Sequence, residues 1–414
     1  MNDYISLLPN TFLWVSETEG LLYNTDNSSH YKFGLNADIE AICNALTKLE
    51  NLYTVSLPDN ITTDLRLFID TIVDLKLGFV HQNPRLYTLP PYLKIQEEFQ
   101  EFNYTPTGRC LHNLKEVSVY VGGTCDTNQY YIQSDYPVNS DSELSYEDIY
   151  TIVNHLIPKT VRDIKIILSN VDSYKTIHKI LQCSPVENKR FTICLKPGDY
   201  QQWMSRNYYI PSDINIQLVG LPHDYDRVNI DNEIFCQILI KESNEIEILE
   251  KLTKSIQNYS VIPVFDGNNY DFFRQNVFIT KEDICNSRLD KRLVFAHGVI
   301  NLNKFGKFSI LPDKKVYSNV LADPLGSIYD NIYMLINEEM LNQRWWFETR
   351  SSEKCASCLY KYLCPSISIQ ENLMNINHIC FSCRNNLFKT NFDVIKVYSA
   401  CFLNHLAKDN HISE

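Results

Sequence analysis

Three short runs near the N-terminus, TFLWVS, LLYNT and HYKFGL, are rich in β-branched and aromatic residues, and the polar turn ETEG separates the first two. The pattern predicts three strands, the first pair a hairpin. The period then changes. Asn36-Ala-Asp38 caps a segment with Ile39, Ile42, Cys43, Leu46 and Leu49 at helical spacing, and Thr62-Thr-Asp opens another with Leu65, Phe68, Ile69, Ile72 and Val73 on one face. A small winged-helix-like α+β module over 1–82 is expected. Residues 83–108 are proline-rich (Pro84, Pro90, Pro91, Pro106) without a sustained period, which marks a linker. From 109 to 289, the apolar runs KEVSVYVGG, DIKIILSN, FTICLK, INIQLVG, IFCQILIK and YSVIPVF alternate with helical stretches. Six strands in strand–helix alternation predict a largely parallel sheet, either open or a partial barrel. Residues 290–395 change character to a hairpin-like GKFSILPDKKVYSN, a helix DNIYMLINEEMLNQRWWF and a cysteine cluster, and 396–414 read as a tail.

The composition, 44% hydrophobic and 21% charged over 414 residues, suits a folded chain of two or three domains. Fifty acids against 38 bases give a net charge of −12. That charge repels phosphate backbones and anionic lipid, so neither a nucleic-acid nor a membrane partner is expected. The opening MNDYISLLPNTFLW lacks the basic start and apolar core of a signal peptide, and no run approaches the length of a membrane span, so a cytoplasmic location is expected.

Reduced thiols are the rule in that compartment, so the 13 cysteines do not read as a disulfide framework. Cys355, Cys358, Cys364, Cys380 and Cys383 fall within one short stretch as C-x2-C-x5-C followed by C-x2-C, whereas the other eight are scattered singly and read as small buried hydrophobes. The clustered spacing predicts a metal site. Its outer pairs match zinc-ribbon spacing, and C-x2-C-x5-C with a distant cysteine equally suits a four-thiolate iron–sulfur cluster.

The run from Phe308 to Cys383, with VYSN, RWWF and CASCLYKYLCPS followed by HICFSC, resembles the SPASM domain that follows the radical-SAM domain in peptide-maturing enzymes. The resemblance implies one [4Fe–4S] cluster on Cys355, Cys358, Cys364 and either Cys380 or Cys383, with zinc as the alternative. A second, upstream cluster of the family looks lost, because Asn319 and Ser368 stand where two of its cysteines would be. The strand–helix region is similar in order to the partial (β/α)6 barrel of radical-SAM enzymes, in a degenerate form. Its first strand is followed by TCDTNQYYIQSDYP with the single Cys125 instead of C-x3-C-x2-C, and Ser169-Asn170-Val171 replaces the family's Gly-Gly-Glu. One thiolate does not hold a cluster that needs three protein ligands, so no S-adenosylmethionine is expected.

The first 80 residues resemble the PqqD-like recognition element, in which a leader peptide adds as a strand beside the third strand and lies against the last helix. The matching surface is Tyr31, Phe33 and Leu35 with Leu65, Phe68 and Ile72, residues that equally suit the module's own core. In order, the whole chain resembles the pseudo-radical-SAM proteins of the GG-Bacteroidales type of ribosomal peptide system. That implies a non-catalytic accessory that binds a precursor peptide and assists a separate radical-SAM maturase. Two other readings stand beside it. One is an iron–sulfur enzyme or electron donor in peptide modification. The other is a zinc-ribbon and winged-helix nucleic-acid binder, against which the 11 acids and 4 bases of residues 1–80 count. His378, His405, His411 and the acids Glu97, Glu98 and Glu101 are weaker candidates for chemistry, and Trp345-Trp346-Phe347 reads as a helix end packing on the barrel.

Overall fold

The computed structural model describes residues 3–83, 86–88, 91, 108–123, 132–174, 189–206, 214–226, 228–231, 233–350 and 353–376. The linker, Cys125, Cys380, Cys383, the three weaker histidines and the tail thus fall wholly or largely outside the described residues.

The N-terminal elements form two small sheets and two helices. Strands β2 (Thr11–Val15), β3 (Glu19–Asn24) and β4 (His30–Gly34) are antiparallel in the order β2-β3-β4, as the hairpin pattern predicts. A second sheet, in the order β5-β1-β6, joins β1 (Tyr4–Leu7), β5 (Thr54–Ser56) and β6 (Gly78–His81). The helix Ala37–Leu46 begins at Asn36, whose side chain accepts from Ile39 N. The helix Thr63–Asp74 buries Leu65, Phe68, Ile69 and Ile72 at the expected spacing, whereas Val73, expected on the same face, is exposed.

All six strands read from the middle of the chain are present: β7 (Glu116–Tyr120), β8 (Asp163–Ile167), β9 (Arg190–Leu195), β10 (Ile214–Gly220), β11 (Phe235–Ile240) and β12 (Tyr259–Pro263). Each pairs in parallel with its sequence neighbour. The sheet continues beyond β7 through β13 (Lys307–Ile310), which is parallel to it, and then through the antiparallel β14 (Lys315–Tyr317) and β15 (Gly326–Ser327). These nine strands form one mixed sheet.

The two faces of the parallel strands are unlike. One face carries Val117, Val119, Ile164, Ile166, Ile193, Leu195, Leu218, Ile238 and Val261, a large apolar core shared with helical residues such as Ile149, Trp203 and Leu249. The other face carries Tyr120, Ile167, Cys194, Val219 and Leu239 in a smaller apolar cluster. On that face, two residues earlier in their strands, stand Ser118, Lys165, Gln217 and Gln237. Trp346 packs on the sheet as expected of the WWF run. It stacks on Phe308 with ring centroids 5.1 Å apart, but the preceding helix ends at Leu341, earlier than its sequence suggests.

Candidate functional site

The second face of the parallel sheet is covered by the chain itself. After β7 the backbone turns through Gly122 and Gly123, at φ 91° and 98°, values that favour glycine. A Cβ at Gly122 would also meet Pro312 at 2.7 Å. Residues 132–137 then lie against the sheet and touch strand after strand. Tyr120 OH (β7) donates to Ser134 O at 3.1 Å, and Lys165 Nζ (β8) donates to Asp135 Oδ2 at 3.0 Å. Gln217 Nε2 (β10) donates to the same oxygen at 3.0 Å, and Asp135 N donates to Gln237 Oε1 (β11) at 3.2 Å. Gln133 clasps the far edge just past β12, donating to Phe265 O at 2.6 Å and accepting from Phe265 N at 3.0 Å. Lys196, after β9, stands 6.0 Å over the Tyr136 ring. Lys165 also pairs with Glu116 at 3.3 Å. Burial opposes its charge, but Asp135 and Glu116 outweigh that and hold its pKa well above the ordinary value.

The segment after β8 is also engaged. Ser169 Oγ donates to Val138 O at 3.4 Å, and Asn170 Oδ1 accepts from Ser173 N at 3.0 Å. Sequence reasoning missed this polar network, although a signal exists: DIKII, INIQLVG and CQILI place Lys165, Gln217 and Gln237 between apolar neighbours in mid-strand.

The cysteine cluster is only partly within view. Cys355, Cys358 and Cys364 line one cavity of about 30 Å³ together with Lys281, Ile284, Arg350, Tyr360 and Lys361. None of the eight described cysteines is in a disulfide. Arg350 is 4% exposed at its side chain and forms a two-pronged pair with the fully buried Glu371, at 2.9 and 3.2 Å. Its Nε donates to Pro365 O at 2.6 Å. Burial disfavours its charge, but Cys364, Glu371 and Cys355 more than compensate, so its pKa rises. Thiols facing one cavity ringed by two lysines and an arginine fit an anionic, thiolate-ligated group, whose negative charge such cations would offset. Among the described residues, no three His, Cys, Asp or Glu side chains form a group able to hold a single metal ion, and two of the five proposed ligands lie outside them.

The scattered cysteines contrast with this site. Cys43 and Cys236 are pushed up to about 12, and Cys285 to about 11, chiefly by burial, as small core hydrophobes are. Ser368 and Asn319, at the two places where the resemblance has cysteines, serve the backbone instead. Ser368 Oγ caps the helix Ile369–Leu373 by accepting from Glu371 N at 3.2 Å, and Asn319 Oδ1 accepts from Leu321 N at 3.1 Å.

The residues assigned to peptide binding lie together. Phe33, Leu65, Phe68 and Ile72 are buried in the core of the N-terminal module, with Tyr31 and Leu35 half-buried against it. The Phe33 and Phe68 rings meet edge to face at 4.8 Å, and Tyr31 lies 6.1 Å from Phe68. What is open is the backbone. β4 has β3 on one side and no strand on the other among the described residues. Asn24 N bonds Ser29 O at 2.9 Å and Leu35 N bonds Thr18 O at 2.9 Å. With the register Leu22↔Tyr31 and Gly20↔Phe33, the alternation of an antiparallel ladder turns Tyr31 and Phe33 toward β3, and the N–H and C=O groups of His30, Lys32 and Gly34 outward.

The opposite face of the same small sheet is not free. Phe12, Trp14, Leu21 and Tyr23 share a core with Ile284, Cys285, Val294, Leu359, Tyr360, Leu363 and Cys364. Tyr23 OH donates to Ser287 O at 3.0 Å and accepts from Leu289 N at 3.0 Å. The cysteine lobe and the N-terminal sheet thus meet directly.

No family model matches the chain, and no curated protein matches it. Among solved structures it is similar to Streptococcus suis SuiB bound to precursor peptide SuiA, at 12% identity and a TM-score of 0.45, covering 94% of this chain and all of that one. It is also similar to Streptococcus suis SuiB bound to S-adenosylmethionine, at 12% identity and a TM-score of 0.43, covering 91% and 99%. A third, hexahistidine-tagged anSMEcpe with bound AdoMet, is 13% identical with a TM-score of 0.39 over 71% of this chain and 97% of that one.

Proposed function

We propose that this chain is a non-catalytic accessory of ribosomal peptide modification, which binds a precursor peptide along the outer edge of β4 and assists a partner radical-SAM maturase. The observation that carries the reading is the segment 132–137. In the resembling enzymes, the loop after the first strand mounts the cluster. Here the corresponding stretch runs into a segment hydrogen-bonded to the sheet from Tyr120 to Phe265, with Asp135 half-buried against Lys165. The open edge of β4 supports the peptide-binding half, since its outward backbone groups are what strand addition uses. Titration of the full-length protein with the precursor peptide encoded beside its gene, alone and with the maturase, is expected to show binding; none in either mixture overturns the reading. Reduced, reconstituted protein is expected to yield no 5′-deoxyadenosine from S-adenosylmethionine, and its formation reinstates the enzyme.

The metal is part of the same proposal. Cys355, Cys358 and Cys364 with Cys380 or Cys383 would hold one [4Fe–4S] cluster, whose service here is to tie the C-terminal lobe together, since ligation contributes folding free energy directly. Protein purified without oxygen is expected to absorb broadly near about 400 nm and to contain iron and sulfide; a colourless preparation holding zinc establishes the alternative.

A further inference from the structure

A cavity of about 300 Å³ lies past the C-terminal ends of β7 and β8, a position at which parallel sheets take ligands. Val121, Leu144 and Ile149, all buried, form its apolar side. These three belong to the large core on the helix-covered face, so the cavity lies across the sheet from Lys165 and Asp135. Its polar side has Glu143, Ser145 and Ser173, with the Tyr146 ring as a wall, stacked on Tyr150 at 6.2 Å. The backbone here is pinned. Gly122 and Glu143 form an antiparallel bridge, and Leu144 N donates to Val121 O at 2.8 Å. Glu143 is exposed at its side of the cavity, where Oε1 accepts from Ser173 Oγ at 2.6 Å and Oε2 accepts from no described residue. Ser145 Oγ accepts from Asp148 N at 3.2 Å and keeps a second lone pair. Charge then restricts the occupant. Between Asp141 and Tyr150 the chain carries four acids and no lysine or arginine. Lys314 pairs with Asp148, whereas Asp141, Glu143 and Glu147 have no base among the described residues.

We propose that this cavity binds a primary alkylammonium, with its methylene stem against Val121, Leu144 and Ile149 and its head at Glu143. The uncompensated acids select a cation, and the apolar side selects one that carries a stem. A compact ammonium bonds single oxygens, whereas a planar guanidinium matches both oxygens of a carboxylate, and Oε1 is already engaged by Ser173. Two sources offer this chemistry, the lysine side chain of a peptide and a free diamine. The site is independent of the β4 edge.

Ligand-observed NMR titration of the full-length protein tests it, with N-acetyl-lysine N-methylamide and cadaverine as probes. Binding of the capped lysine assigns the cavity to a peptide side chain, and binding of cadaverine alone assigns it to a free diamine. Removing one methylene from the probe that binds is expected to weaken it about fourfold, as the loss of one buried methylene implies. Glu143→Gln retains an acceptor for Ser173 at an exposed position and should weaken binding at least about threefold. Glu143→Lys, which brings its own ammonium, should abolish it. Glu147→Gln removes the same charge from an exposed position outside the cavity and should leave binding unchanged. The site is overturned if neither probe binds at millimolar concentration, if capped norleucine or capped arginine binds as well, if the shorter probe loses nothing, or if Glu143→Gln has no effect or no more effect than Glu147→Gln.

Discussion

Asp148 shows how much one side chain can carry where the chain crosses itself. It caps its own helix, accepting from Ser145 N at 2.9 Å, and it also takes Tyr329 OH at 3.0 Å and Lys314 Nζ at 3.0 Å from the far end of the nine-stranded sheet. Burial alone would raise its pKa, but these donors outweigh it and lower the value to about 2. A carboxylate with a depressed pKa stabilises the fold above its unfolded value, near 4, and loses that contribution as the pH falls through about 2. Asp148→Asn is therefore expected to cost about 2 kcal/mol at neutral pH, and the gap from wild type in urea midpoint should close between about pH 4 and pH 2. Gly20 is a second such position. It pairs with Phe33 across the β3–β4 ladder, and a Cβ there would run into the Phe33 ring. Gly20→Val should displace that ring at a cost of about 1–3 kcal/mol, visible in chemical denaturation and in near-ultraviolet dichroism.

The strands β7 to β12 were legible because β-branched runs bounded by polar turns signal strands whatever their partners, and parallel strands covered on both faces read as near-continuous apolar stretches. β1, β5 and β6 were not, because three or four residues are too few to show a period, and they pair with one another across most of the module. Segment 132–137 was hidden for a different reason. QSDYP has the composition of a loop, and its order comes from Lys165, Gln217, Gln237 and Phe265, all distant in sequence. The surface assigned to peptide binding was half legible: the spacing placed Leu65, Phe68 and Ile72 on one face, and that face is the core, whereas the open edge of β4 shows only in the strand pairing. Asp135→Ala leaves Lys165 with Glu116 alone and takes two hydrogen bonds from the segment. A loss of about 3 kcal/mol is expected, with faster amide exchange over 132–137, and unchanged exchange there would show that the segment is not held by this pair.

At the scale of the whole molecule, the sheet β2-β3-β4 serves two cores, its own helices on one face and the cysteine lobe on the other. Cys364 belongs to the second of these, so if the proposed metal is bound there, its loss should reach the N-terminal strands. Cys358→Ala, or chelation of the native protein, is expected to lower the melting temperature and to open β2 and β3 to proteolysis. Unchanged melting and cleavage would refute a structural role for the metal. Tyr23→Phe removes the hydroxyl bridging Ser287 and Leu289 and should cost about 1–3 kcal/mol, measured by urea unfolding. Among the described residues no helix is long and apolar enough to cross a membrane. The shared core also bears on how a client would be handled. Lifting the N-terminal strands away would strip Phe12, Trp14 and Tyr23 of their cover, so this module is no arm swinging on a tether. A peptide seated on it stays at a fixed address, and any enzyme that is to act on that cargo has to come to the dock.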